Sequence, residues 1–260
     1  MTTGLLVLVA AVWGASAGAL LPRAAHRFSV PSDEPWRDRC PDGHPLRGWL
    51  GGARCGTCAH AGSPPTTNPR PDASVSSHAP DTPSGVLLAS LTALVCAVLA
   101  VATGTRPELT VWLLLAPVGV LLAAVDFRVR RLPDPLTLPL AATALALLGL
   151  TALLPEHAGH WRTALYGALA LGAGYYLLYR INPGGMGFGD VKLAVGAGAV
   201  LGWYGWPTVL LGTFAAFLLG ALYGGALVLA RRADRKTAVP FGPFLLTGTL
   251  IGLLIGAYTA

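Results

Sequence analysis

The sequence predicts an all-α polytopic membrane protein of about eight transmembrane helices, with a small cysteine-containing cytoplasmic insert near its N-terminus. Three observations predict it. Hydrophobic residues make up 53% of the 260-residue chain and charged residues only 12%, where a soluble domain carries about 25% charged. The apolar residues fall in runs close to the ~20 needed to cross a bilayer. The basic residues gather in alternate loops, as they do when a membrane orients a chain.

The first run, 5–21, has no basic residue ahead of it, whereas Arg23 and Arg27 follow it. A cleavable signal carries positive charge before its apolar core. The run therefore reads as an anchor with its N-terminus outside, although Ala15-Ser16-Ala17 offers a small-residue cleavage pattern. Residues 1–22 make this first transmembrane helix. Residues 23–60 hold arginines, histidines, prolines and three of the four cysteines, with no apolar period long enough for a helix core. They read as a cytoplasmic Cys/His-containing domain. Residues 61–84, rich in Pro, Ser, Thr and Ala, read as a flexible linker. The remainder, 85–260, reads as a seven-helix membrane domain with spans near 85–104, 107–125, 135–154, 162–181, 189–204, 206–230 and 239–258. The many glycines and prolines, 33 and 21, suit packed membrane helices better than soluble ones.

Charge sets the orientation. With the N-terminus outside, the inner loops are 22–84, 126–134, 182–188 and 231–238. Sixteen of the 18 Lys and Arg residues then lie on the inner side, leaving only Arg106 and Arg162 outside. The net charge of +6 is accounted for by this bias, so it calls for no nucleic-acid partner. The lipid bilayer is the expected surrounding. The sequence has no evident internal repeat, which counts against the transporter folds built from repeats.

Acids within or at the ends of spans are costly and mark function. Asp126 closes the third span in V-D-F-R-V-R-R-L-P-D, and Asp190 opens the sixth in G-F-G-D-V-K-L. In the topology above both lie at cytoplasmic helix ends, hence at one depth, where a bundle can join them. Two adjacent carboxylates share one proton, and such a pair supplies both an acid and a base for activating water. The glycines at 184, 185, 187 and 189 let a substrate backbone approach and keep that edge irregular. The plainer alternative is an Asp126 paired with Arg128 or Arg130 and an Asp190 that merely caps its helix.

Four blocks, in order, bear on the choice. The first is Cys40-Pro41, then Leu46, Trp49 and Cys55-Gly56-Thr57-Cys58. The second is Asp126 followed by Leu132-Pro133-Asp134 and Leu136-Thr137. The third is Gly187-Phe188-Gly189-Asp190-Val191-Lys192-Leu193 with Gly196, Gly198 and Gly202. The fourth is Val239-Pro240-Phe241-Gly242-Pro243-Phe244. In these the chain resembles the type IV prepilin peptidases, GxGD-type aspartyl proteases of the bacterial inner membrane. The resemblance implies that Asp126 and Asp190 are the catalytic pair. It implies that prepilins or pseudopilins are the substrates, with a short basic leader, a glycine before the cut and then an apolar helix that stays in the membrane, cut at the cytoplasmic face for type IV pili or protein secretion. Gly187, Gly189, Lys192, Pro133 and Asp134 are expected to support the site. Asp134 is read as a cap for the fourth span, with Pro133 and Pro135 shaping its start. Lys192 is read as tuning Asp190, holding a phospholipid or snorkelling to the interface.

Cys55-x-x-Cys58 has the spacing of half a zinc site. The family pattern has a second such pair, and this sequence departs from it with Gly43 in the place of a cysteine. His44 then completes a Cys40, His44, Cys55, Cys58 set for a structural zinc ion. A reducing cytosol favours metal over disulfide. Cys96, in mid-span, reads as packing. Many family members also methylate the new N-terminus with S-adenosylmethionine, through an asparagine-containing stretch after the first helix. Residues 18–27 here read G-A-L-L-P-R-A-A-H-R, without asparagine. Proteolysis itself requires no cofactor. The competing readings are a non-proteolytic transporter using the two aspartates for proton or ion coupling, and a presenilin-like or preflagellin peptidase. The F-G-D-V-K-L and P-F-G-P-F blocks disfavour the first, and the cysteine-bearing insert disfavours the second.

Overall fold

Inside a bilayer a single segment satisfies all its backbone N–H and C=O groups only as a helix, and long Leu/Ala/Val runs offer nothing to interrupt one. The computed structural model describes residues 2–31, 34–40, 43–52, 84–230 and 240–260. Among these the regular structure is helical, apart from one isolated antiparallel bridge between Arg39 and Pro45. The helices are α1 (Thr3–Ala19), α2 (Leu21–Phe28), α3 (Gly85–Thr103), α4 (Glu108–Val129), α5 (Asp134–Thr151), α6 (Trp161–Ile181), α7 (Phe188–Trp203), α8 (Trp206–Leu229) and α9 (Gly242–Thr259). Each of the eight expected runs coincides with one of them. The linker 61–84, apart from Ser84, and the inner loop 231–238 lie outside the described residues.

One expectation changes. α2 falls largely in the segment read as lacking a helix. Pro22 sits in its first turn, where a missing N–H is harmless. Ala24, Ala25 and Phe28 are buried with Leu88 of α3 and with Val120, Leu121 and Val125 of α4. Tertiary burial, rather than an apolar run, makes this helix. The count of eight spans is not confirmed. Five described helices are long and apolar enough to cross a membrane, or six if α1 and α2, bent by 43°, form one broken span. α7 has only 16 residues, and α6 carries Arg162, Arg180 and four tyrosines.

The bundle is held by close backbone approach as much as by side chains. On α1 a side chain at Gly14 or Gly18 would meet the backbone oxygens of Thr92 and Leu88, each at 2.6 Å. α1 and α3 therefore touch backbone to backbone, as small-xxx-small pairs do in membranes. α6 and α7 do the same through Gly167 and Gly198. The main core, including Leu122, Leu193, Leu201 and Leu245, lies between α4, α7 and α9. The buried Leu132 of the α4–α5 turn belongs to the same core, which brings the start of α7 beneath the end of α4.

Candidate active site

α4 ends because Arg130 turns left-handed, with φ 51°, and Leu132-Pro133 then redirects the chain into α5. Asp126 lies in the last turn before that stop and is 4% exposed. Its Oδ2 accepts a hydrogen bond from the backbone N–H of Gly242 at 3.0 Å. Gly242 is the first residue of α9, so this donor is one that no helical carbonyl can satisfy. Gly242 also leaves no room for a side chain, since a Cβ there would stand 2.7 Å from Asp126 Oδ2.

Asp190 lies in the first turn of α7 and is 6% exposed. Its Oδ2 accepts from the N–H of Gly187 at 3.2 Å, so the plain helix-capping role is real for one oxygen. The other, Oδ1, is buried without a hydrogen-bond partner. Gly189 packs so closely on Leu132 that a Cβ would lie 2.8 Å from Leu132 Cβ. That contact ties the start of α7 to the turn that follows Asp126. The two carboxylates thus occupy the same end of the bundle, and Asp190 lies within reach of the Asp126 charge. Both are held at helix N-termini, where backbone N–H groups and the helix dipole face negative charge.

The surrounding wall is aromatic. Tyr175 of α6 is buried, its hydroxyl has no hydrogen-bond partner, and it too lies within reach of the Asp190 charge. Its ring stands 6.0 Å from that of Phe241 and 5.7 Å from that of Phe217. Neither Tyr175 nor the Gly242 N–H stands out in the sequence as a site residue. The available signal was Gly242 opening a helix in the P-F-G-P-F block, since a helix start always carries unpaired donors.

The remaining expected site residues are placed as follows. Pro133 precedes α5 in extended conformation and Asp134 is its first residue, but no side-chain cap forms there. The Asp134 carboxylate instead pairs with Lys192 Nζ at 2.7 Å. The expected cap is therefore corrected: the cation one turn into α7 outcompetes a backbone donor of α5. Lys192 also stands 5.0 Å above the Phe188 ring. In the N-terminal segment Cys40 is buried and its Sγ lies 3.7 Å from His44 Nδ1, across a tight turn closed by Cys40 N–H to His44 O at 2.8 Å. That separation fits two neighbouring ligands of one tetrahedral zinc ion, about 3.5 Å apart from bonds of ~2.3 and ~2.0 Å. Cys55 and Cys58 lie outside the described residues. No group of three or more metal-ligating side chains occurs among the described ones.

The polar side chains between residues 18 and 27 are committed elsewhere. Arg23 donates to Arg47 O at 2.8 Å and Gly52 O at 3.1 Å, and Arg27 to Gly48 O at 2.7 Å. His26 Nε2 lies 3.1 Å from Arg39 O. These contacts bind α2 to Arg39, Arg47, Gly48 and Gly52.

The type IV leader peptidase family model matches residues 113–225, a segment holding Asp126 and Asp190. A prepilin leader peptidase/N-methyltransferase of Aeromonas salmonicida is 36% identical over 178 residues, covering 65% of this chain and 57% of the relative. One from Escherichia coli is 35% identical over 143 residues, covering 51% of this chain and 57% of the relative. One from Pseudomonas aeruginosa is 34% identical over 157 residues, covering 57% and 48%. The chain thus aligns with about half the length of these relatives. No solved structure matches it. Over residues 113–225 this chain is similar to the type IV leader peptidase family.

Proposed function

We propose that this chain is a prepilin leader peptidase, an aspartic endopeptidase of the bacterial inner membrane. On this reading it removes short basic leaders from type IV pilin-like or pseudopilin precursors at the cytoplasmic face. The observation that carries the proposal is the pair of buried carboxylates, Asp126 and Asp190, brought to one end of the bundle from helices distant in sequence. One carboxylate is ionised and takes a proton from water. The other is protonated and donates to the carbonyl oxygen of the scissile bond. The Gly242 and Gly187 N–H groups fix one oxygen of each acid, which leaves Asp190 Oδ1 for chemistry. The positive-inside distribution of Arg and Lys supports an outside N-terminus and a cytoplasmic site.

On the same reading Cys40 and His44 join Cys55 and Cys58 in a structural zinc site, and Lys192 and Asp134 brace the start of α7 against α5. The peptidase is one half of the relatives' double name. The other half of that name extends the reading to N-methylation of the product, with S-adenosylmethionine as the methyl donor.

Asp126→Asn and Asp190→Asn keep the shape of each side chain and remove its titration. Each variant, inserted in membranes at normal level, is expected to lose cleavage of a co-expressed prepilin by at least about 10³-fold. Mass measurement of the product reads the leader loss, and would show methylation as one added methylene. Near-normal cleavage by either variant overturns the two-aspartate mechanism.

A further inference from the structure

The helices that carry the two acids also enclose a groove of about 460 Å³ between α3, α4, α5, α7 and α9, walled almost wholly by apolar residues. One end of it lies within a helical turn of each carboxylate. Among its lining residues, Ala123 lies one turn before Asp126, Leu193 one turn after Asp190, and Pro243 adjoins Gly242. Its far end lies beside Trp112, Val200 and Leu253. From Pro243 to Leu253 it follows about 15 Å of helix, roughly half the hydrocarbon thickness of a bilayer. On α4 it is lined by Ala116, Gly119 and Ala123, residues small enough to let another backbone approach. On α3 it is bordered by Leu91 and Leu94, which are 43% and 60% exposed.

We propose that this groove seats the first turns of the substrate's apolar helix, the segment that follows the cut bond. The proposal rests on the peptidase reading and adds to it the element that sets where the bond lies. In lipid, apolarity alone selects nothing, because an acyl chain wets the wall as well as a leucine does. Two features select a polypeptide. Small residues on α4 reward close backbone approach. One end of the groove also lies within a helical turn of Asp126 and Asp190, through Ala123 and Leu193, so an occupant helix ending there brings a peptide bond toward them. About ten helical residues fill the 15 Å.

The test uses the full chain reconstituted in phospholipid vesicles with a prepilin. Benzoyl-phenylalanine in place of Leu94, which borders the groove, is expected to photo-cross-link to the apolar segment of the precursor. The same probe in place of Leu210, 69% exposed on α8 away from the groove, is expected to give no such adduct. Gly119→Leu fills the groove where a Cβ meets only Leu246 Cδ2, at an ordinary 3.8 Å. It is expected to lower the Leu94 adduct at least tenfold and to raise KM for the precursor about tenfold, with kcat changed less than twofold. Adducts with phospholipid alone at position 94 overturn the proposal, and so does a Gly119→Leu variant that binds and cleaves like the parent. If only the peptidase reading fails, the parent protein releases no leader, yet the adduct pattern still decides the groove. The Leu94 probe on the otherwise unaltered chain decides it even where Gly119→Leu does not fold.

Discussion

The two oxygens of Asp190 have different tasks. One accepts the Gly187 N–H and starts α7, and the other is buried with nothing to bond. A buried unpaired carboxylate oxygen costs on the order of 1–3 kcal/mol or more, so its retention points to use rather than to stability. Asp126 is positioned by a residue far away in sequence, and this makes Gly242 the most sensitive support of the pair. Gly242→Ala places a methyl group 2.7 Å from Asp126 Oδ2 and must displace that oxygen. A displacement near 1 Å costs about 100-fold in rate. Cleavage by the Gly242→Ala variant is therefore expected to fall by about that factor, in kcat rather than KM, while its thermal stability in detergent stays close to that of the parent. Asp134 shows the opposite case. A carboxylate after L-P at a helix start reads as a cap, but only spatial proximity reveals Lys192 as its partner. Asp134 is 61% exposed on its side chain, so the pair is worth little in stability and serves to align two helix starts.

At the scale of elements, helix positions were legible, and α2 was not. Apolar runs located eight helices to within a few residues, because Gly104, Arg130-to-Pro133 and the Gly205-Trp206-Pro207 corner interrupt the runs. α2 escaped because only one face of a short helix needs to be apolar when neighbours supply the cover. α7 is short because its N-terminus is given over to a glycine-rich approach to Asp190. The α1–α3 contact depends on Gly14 and Gly18. Gly18→Leu would drive a side chain into the Leu88 carbonyl, and overpacking of this kind costs about 1–3 kcal/mol. Hydrogen exchange over residues 3–19 is expected to speed up in that variant, with exchange in α7 unchanged. Equal protection of residues 3–19 in both proteins would refute the backbone contact.

Among the described residues, the buried carboxylates lie at the two ends of an apolar bundle. Opposite the aspartates, Glu108 is fully buried and accepts from the Ala158 N–H at 3.2 Å and the Tyr204 hydroxyl at 3.5 Å, which ties the 152–160 turn to α4. At the aspartate end, arginines expected only to orient the chain also fasten the N-terminal segment to it. Arg131 donates to Pro31 O at 2.6 Å and lies 4.2 Å over Trp36, and Arg27 lies 4.0 Å over Trp49. The proposed zinc site would close this segment from its far side. Cys58→Ser is expected to lower the zinc bound per purified chain from about one to well below one half. Equal metal in both forms would retire the site.

The sequence by itself determined the solvent, the class of fold, the helix positions and which acids stand at span ends, because each of these depends on composition and period along one chain. It also carried the four blocks by which the family is recognised. Tertiary structure alone decided that Gly242 holds Asp126, that Asp134 pairs with Lys192, that α2 is helical and that an apolar groove ends within a helical turn of the two acids. Each of those depends on which residue lies opposite in space, and linear spacing carries no information about a neighbour contributed by another helix.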